Sequence, residues 1–406
     1  MPERRNRGRC AGIWGSPSAQ IDSRQLANDH DLWTIDTVAC RARWSGRFRH
    51  PVVVGVGFLG GSGSARVLGY QMPHSAVHVA GKGWGHRPRG PAVARRTAAG
   101  RWAVFVLPLA AACALAGCTG QAGSNGTLEK VWGRHGIAAG RLQKPRAMAI
   151  DEEDRLYIVD MTARIQVFDG DGTYLRGWRT PTCQNGRPSG LTIGRDGLLL
   201  VADTHYFQVL FYTPDGQLLA HRTIGGTAGV AAGQFGLVTD AVQDSLGNIY
   251  ISEYGAQDRV QKFSSSGQFL LEWGGHGARP GQFVRPQNLA IDHQDQVWVA
   301  DACNHRIQVF DGRGRLLRLW GVPGRAPGAL YYPYDLALDH RGHLYVCEFG
   351  NHRVQKFTLE GRSLGCWGTN GRGAGQLHNP WALVCDRRGR VHVLDTNNHR
   401  VQRVRL

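Results

Sequence analysis

One stretch of this chain is written six times. RLYIVDMTARIQVF (155–168), LLLVADTHYFQVLF (198–211), NIYISEYGAQDRVQKF (248–263), QVWVADACNHRIQVF (296–310), HLYVCEFGNHRVQKF (343–357) and RVHVLDTNNHRVQRV (390–404) are copies of a single unit. An acidic residue recurs at Asp160, Asp203, Glu253, Asp301, Glu348 and Asp395, at spacings of 43, 50, 48, 47 and 47 residues. A period of this length marks a repeat architecture, because one such unit cannot bury its apolar face alone.

Each unit holds four short apolar runs. The first follows a proline, as in PQNLAID (286–292); the second is the YIVD type; the third is the RIQVF type; the fourth ends in Trp-Gly, as in LLRLWG (316–321). The runs are β-branched and partly alternating, with Gly, Asp and Asn between them, so they read as strands. Four strands in one such period make a propeller blade. The last copy stops at Leu406 after its third strand, and a lone fourth-strand sequence, LEKVWG (128–133), stands before the first copy. The fold expected is all-β: a six-bladed propeller of four-stranded blades over residues 127–406, with the N-terminal strand completing the last blade and shutting the ring. Closure also removes the free sheet edges that invite aggregation.

The pattern D-x-x-N-H-R-[IV]-Q-x-F is clearest at Asp301–Phe310, Glu348–Phe357 and Asp395–Val404, and it resembles the NHL-repeat family. That resemblance implies a six-bladed propeller. It implies function only loosely, since such propellers are binding platforms in some members and enzymes in others. Some NHL-type propellers resemble peptide-amidating lyases, in which His residues near the inner-strand starts bind zinc; none of the six corresponding positions here is His. Eukaryotic members often carry RING and B-box zinc modules, and no such Cys/His framework occurs in this chain.

The segment before the repeats has a different character. Residues 93–118 read VARRTAAGRWAVFVLPLAAACALAGC. Arg95, Arg96 and Arg101 precede an apolar run from Trp102 to Leu115, too short to span a bilayer as a helix, which needs about 20 apolar residues. This is the pattern of a secretory signal peptide. Its end, Leu115-Ala116-Gly117-Cys118, resembles the bacterial lipobox. The resemblance implies that residues 93–117 are removed, that Cys118 is lipidated, and that residues 118–126 tether an exported propeller to a bacterial membrane, on the periplasmic or outer-surface side. Residues 1–92 are Arg- and Gly-rich with no sustained apolar period, and Val93 can be read from a GTG start. They are expected to be either a disordered extension or sequence ahead of the true start. The formal charge of the chain is +17, of which residues 1–92 carry +8 and residues 93–117 carry +3. The remaining +6 argues against nucleic acid as a partner. Five cysteines follow Cys118, none in a C-x-x-C pair, so no zinc knuckle is suggested.

Most charged residues of the repeat read as scaffold. Asp160 with Arg164, Glu253 with Arg259, Asp301 with Arg306, Glu348 with Arg353 and Asp395 with Arg400 recur as pairs that clamp the loop of each blade. His305, His352 and His399 sit inside Asn-His-Arg triplets and read the same way. Function is expected where the repeat departs from itself. In blade 2, Gln208 replaces the arginine, so Asp203 loses its partner, and His205 lies two residues on, on the same face if the strand continues. The two form a weak candidate for proton transfer or metal binding. The second place is the start of each inner strand. Aligned on Pro145, Pro188, Val238, Pro286, Pro333 and Pro380, the next residues are Arg146, Ser189, Thr239, Gln287, Tyr334 and Trp381, followed by Ala147, Gly190, Asp240, Asn288, Asp335 and Ala382. Arg146, Tyr334 and Trp381 offer a stacking side to the mouth; Gln287, Asp240, Asn288 and Asp335 offer a hydrogen-bonding side. The favoured function is a binding platform for a protein, peptide or glycan, with no cofactor. The alternative is a propeller enzyme, a metal-dependent lyase or lactonase-like hydrolase, with Asp240, Asn288 and Asp335 at the channel.

Overall fold

A computed structural model describes residues 126–255 and 257–406. The expected extension, signal peptide, lipidated Cys118 and all of the tether but Gly126 lie outside the described residues. The propeller is as expected: six four-stranded antiparallel sheets around an axis. Blade 4 shows the plan, with an inner strand Pro286–Ile291, a second Val297–Asp301, a third Arg306–Phe310 and an outer Leu316–Trp320. Blade 2 is the weakest, its outer strand reduced to Ile224–Gly225. Blade 6 takes its outer strand from the other end of the sequence. Thr127–Trp132 pairs antiparallel with Arg400–Arg405, Thr127 opposite Arg405 and Trp132 opposite Val401.

The core is a set of seams between neighbouring blades. Second and third strands are apolar on both faces, so each blade buries one face on the blade before it and one on the blade after. The outer-strand tryptophans close these seams. Trp132, Trp178, Trp273 and Trp320 each lie on the glycine of the next blade's last turn: Gly172, Gly216, Gly314 and Gly361. A Cβ on Gly172 would lie 2.3 Å from the Trp132 ring, and that glycine has φ +87°. Only glycine meets both demands. At the last seam Trp367 has no such turn to rest on. Gly126, just before the closing strand, takes the place, with a Cβ there meeting Trp367 at 2.9 Å.

The repeated acidic residue does what the pairing implied, and more. Asp301 is fully buried; it accepts from Arg306 Nε (2.7 Å), Gln308 Nε2 (3.0 Å) and the Val284 amide (2.8 Å). The guanidinium of Arg306 then donates to the carbonyls of Ala278, Arg279 and Gln282, in the loop leading into the inner strand. The Asn-His-Arg histidines are interblade clips. His305, His352 and His399 adopt left-handed backbone (φ 56°, 55°, 56°), and each Nδ1 accepts an amide of the following blade: Tyr332, Asn379 and Lys144. His305 is held neutral by burial, its pKa lowered to about 4.

Two outcomes test this architecture. Deleting Leu128–Gly133 should destabilise the propeller by several kcal/mol, since blade 6 loses its edge and Trp132 its burial; an unchanged melting temperature would refute closure. Arg306→Met leaves a buried carboxylate without its cation and should cost about 3–5 kcal/mol. Gln208→Met, beside a carboxylate that has no cation, should cost about 1 kcal/mol. Urea unfolding that ranks the two the other way would sink the clamp argument.

Candidate functional site

The inner strands point six residue pairs at the axis. A regular strand would aim only alternate residues there. Each of the inner strands of blades 3, 4 and 5 has a bulge at Thr239, Gln287 or Tyr334, where the register skips one residue. A bulge re-aims side chains, so both positions of each pair line one narrow axial cavity of about 20 Å³. That is room for one or two water molecules.

The waist of this channel is a relay of side chains, each capping the next blade. Asp240 Oδ2 accepts from Asn288 Nδ2 (2.7 Å) and the Leu289 amide (3.1 Å). Asn288 Oδ1 accepts from the Leu336 amide (3.0 Å), and Asp335 Oδ2 from the Leu383 amide (2.7 Å). Gly190 makes the space, since a Cβ there would lie 2.8 Å from Asp240 Oδ1. Burial pushes the carboxyl of Asp240 up to about 7 and that of Asp335 well above the usual range. The lone pairs of these groups go to neighbouring amides, and no cluster of three or more His, Cys, Asp or Glu suited to a metal occurs among the described residues.

On the expected stacking side the rings pack on one another. Tyr334 is buried, 4.5 Å from Phe349 in a stack and 5.1 Å edge-on from Trp381. The guanidinium of Arg146 lies over Trp381 at 5.2 Å. A second guanidinium, Arg285, lies over Tyr254 at 4.6 Å and Tyr334 at 6.0 Å, with its Nε on Gln287 Oε1 (3.1 Å). Sequence reasoning did not single out Arg285, Tyr254 or Phe349. Arg285 stands one residue before the proline, at a position that elsewhere holds the clipped amide, so the repeat disguised it. The indole N–H of Trp381 has no acceptor. The mouth thus presents half-buried donors above a waist of acceptors.

Blade 2 differs from its expected geometry. The strand ends at Asp203, and a 3₁₀ turn, Thr204–Tyr206, follows. His205 therefore does not continue along the strand face; its ring lies against Gly186, where a Cβ would meet it at 2.1 Å. Asp203 is fully buried, takes one bond from Gln208 Nε2 (3.2 Å), and its Oδ1 has no partner. Burial raises its pKa to about 6.

At the opposite end the channel widens into a funnel of about 900 Å³ with Asn288 and Asp335 in its lining, aliphatic walls and a charged rim. The buried carboxyls make a pH prediction. Asp240 binds its proton more tightly folded (about 7) than unfolded (near 3.8). Its contribution is present below the unfolded value and lost as pH rises through 7. Asp240→Asn should therefore gain stability on the parent as pH rises from about 5 to about 8. Parallel melting profiles across that window would contradict the assignment.

Comparison with known proteins agrees with this frame. The NHL repeat model matches residues 283–310 and 330–357. Peptidylglycine alpha-amidating monooxygenase of Rattus norvegicus is 31% identical over 187 residues, 43% of this chain and 18% of its own length. Form A of the Xenopus laevis enzyme is 35% identical over 125 residues, 29% of this chain and 13% of its own length. The chain thus spans a fifth or less of the length of these curated relatives. Among solved structures, a streptogramin B lyase superposes with a TM-score of 0.50 at 14% identity, over 69% of this chain and 98% of that one. A gluconolactonase from Xanthomonas campestris gives 0.50 at 16%, over 66% and 88%. A Bacteroides thetaiotaomicron protein of unknown function gives 0.52 at 12%, over 70% and 76%. At these identities the structures speak for the fold alone. The chain is a six-bladed β-propeller with NHL repeats at residues 283–310 and 330–357.

Proposed function

We propose that this propeller is a binding platform that takes the carboxylate end of a peptide at its axial mouth, displayed outside the cytoplasmic membrane by a lipid on Cys118. The observation that carries the reading is the pair of cations at the mouth: the Arg146 guanidinium on Trp381 and the Arg285 guanidinium on Tyr254 and Tyr334. Two guanidiniums held against rings are preorganised, and a planar carboxylate is their natural ligand. The 31% identity to a protein whose name places it on peptidyl-glycine supports a peptide as the ligand class. The relay Asp240–Asn288–Asp335 serves this mouth by fixing the inner strands of blades 3 to 6.

An enzymatic reading rests on one observation, the Asp240 carboxyl with a pKa of about 7 within the channel. A group so tuned can exchange a proton near neutral pH. The two readings separate in one titration. Trp381 fluorescence should respond to peptides with a free C-terminal carboxylate and not to the same peptides amidated. Arg146→Ala should weaken binding at least tenfold, about 1.4 kcal/mol. Equal response to both peptide forms would refute carboxylate capture, and turnover of the peptide during the titration would favour the enzyme. Export and tethering are checked separately by the mass of the mature N-terminal peptide, expected to begin at an acylated Cys118.

A further inference from the structure

The outer strand of every blade starts at the face that carries the hairpins between first and second strands. Blade 6 obeys the rule: Leu128 pairs with Val404, which pairs with Val391 at the start of the second strand. The chain preceding Gly126 therefore joins the propeller on this hairpin face, the face of the wide funnel, at blade 6. From Cys118 to Gly126 there are eight peptide steps, a reach of about 30 Å at most.

That face exposes Arg195 on blade 2 and Arg313 and Arg315 on blade 4, and its densest group of arginines lies further round the ring. Its turns on blades 5 and 6 and the end of the closing pair expose Arg341, Arg362, Arg387, Arg388 and Arg405. Arg387 reaches Glu152 at 3.6 Å and Arg405 reaches Glu129 at 3.1 Å, both exposed contacts. Arg341, Arg362 and Arg388 make no ion pair among the described residues. The guanidinium carbon of Arg341 lies 3.9 Å from where a Cβ on Gly389 would be, in the blade 6 hairpin, and Arg405 Nη1 donates to the Arg388 carbonyl (3.4 Å). Arg341, Arg387, Arg388 and Arg405 are therefore neighbours, and Arg362 stands on the outer turn of blade 5 at the same face. The aspartates of this sector do not neutralise it outward. Asp339 takes the amides of Arg341 and His343, and the buried Asp386 takes those of Arg388 and Arg390 together with Arg390 Nε. Glu360 and Glu129 are exposed carboxylates of the sector, Glu129 paired with Arg405. On blade 1 the same face exposes Glu152, Glu153 and Asp171.

We infer that the arginine sector of blades 5 and 6 is a membrane-docking surface, seated on anionic lipid headgroups with the peptide-binding mouth turned away from the bilayer. A membrane is favoured over another polyanion because the chain leaves the fold from within this sector. The short tether of the proposed lipoprotein holds it near a bilayer, where weak charge contacts act at high effective concentration. Surface attraction decays within about a Debye length, 8–10 Å at physiological salt, so the side of the molecule from which the tether springs is where basic residues count. Each arginine near an anionic leaflet is worth about fivefold in partition. The inference rests on the proposed tether only for its direction; the charge sector stands without it.

The test uses the full chain with Cys118→Ser, which removes the lipid, and flotation on vesicles of phosphatidylcholine with and without about a third phosphatidylglycerol. Three chains are compared: the parent, Arg341→Glu/Arg362→Glu/Arg388→Glu, and a control with Arg279→Glu/Arg325→Glu/Arg372→Glu on the opposite rim. Basic residues before Cys118 are common to all three. The parent and the control should bind phosphatidylglycerol vesicles alike, more weakly as salt rises, and the sector variant should bind at least tenfold more weakly. Melting temperatures within a few degrees of the parent show that all three are folded. A sector variant that binds as well as the parent, or a control that loses as much, overturns the docking surface whatever the state of Cys118. An unacylated native chain whose sector variant still loses binding overturns the tether and leaves the docking surface standing.

Discussion

Each blade hangs on a buried carboxylate. Glu253, Asp301, Glu348 and Asp395 sit in a place no water reaches, and a charge there is tolerable only because an arginine, a glutamine and a backbone amide are all turned onto it; at Asp160 Thr162 takes the glutamine's part. The arginine is spent twice, on the carboxylate and on three carbonyls of the loop that enters the inner strand. That double use couples strand and loop, and the loop delivers the inner strand to the axis in a fixed position. The mouth of the propeller is thus set by an interaction several residues removed from it. Blade 2 shows the dependence by exception. With Gln208 in the arginine's place, Asp203 keeps an unmet oxygen, the loop before the inner strand takes another course, and the outer strand shrinks to two residues.

Around the axis, the same logic passes from blade to blade. Histidines in left-handed backbone clip the following blade at the rim, and Asp240, Asn288 and Asp335 cap its amides at the waist. These side chains are polar because they accept hydrogen bonds from the backbone of the next inner strand, and the bulges of blades 3 to 5 turn them to the axis. Polarity at the axis is therefore chiefly structural. Above this waist lie Arg146 and Arg285, whose guanidiniums sit over the Trp381 and Tyr254 rings.

The closing strand gives the molecule a direction. Because the N-terminal strand must run antiparallel to Arg400–Arg405, the chain joins at the hairpin face, and the donor-lined mouth opens on the other. The mouth and the arginine sector therefore lie on opposite faces of the ring.

The sequence alone determined the blade count, the four strands of each blade, the closing strand and the clamp. These are local or periodic: a period of about 47 residues, a proline, an acidic residue and an arginine four to six positions on carry them, and six copies average out local ambiguity. It also marked the axial residues, since they follow a proline in five blades and Val238 in the third. It did not determine how they are used. Tyr334 and Trp381 read as surfaces for a ligand, but they pack on each other and on Phe349, which lies on a different strand connection. Asp203 and His205 read as neighbours along a strand, but the strand ends between them. Arg285 was hidden in a position the repeat uses for a backbone clip. In each case the deciding contact joins residues from different strands or blades, or depends on one bulge or turn, and a linear pattern has no term for either. Only the closed ring brings those partners together.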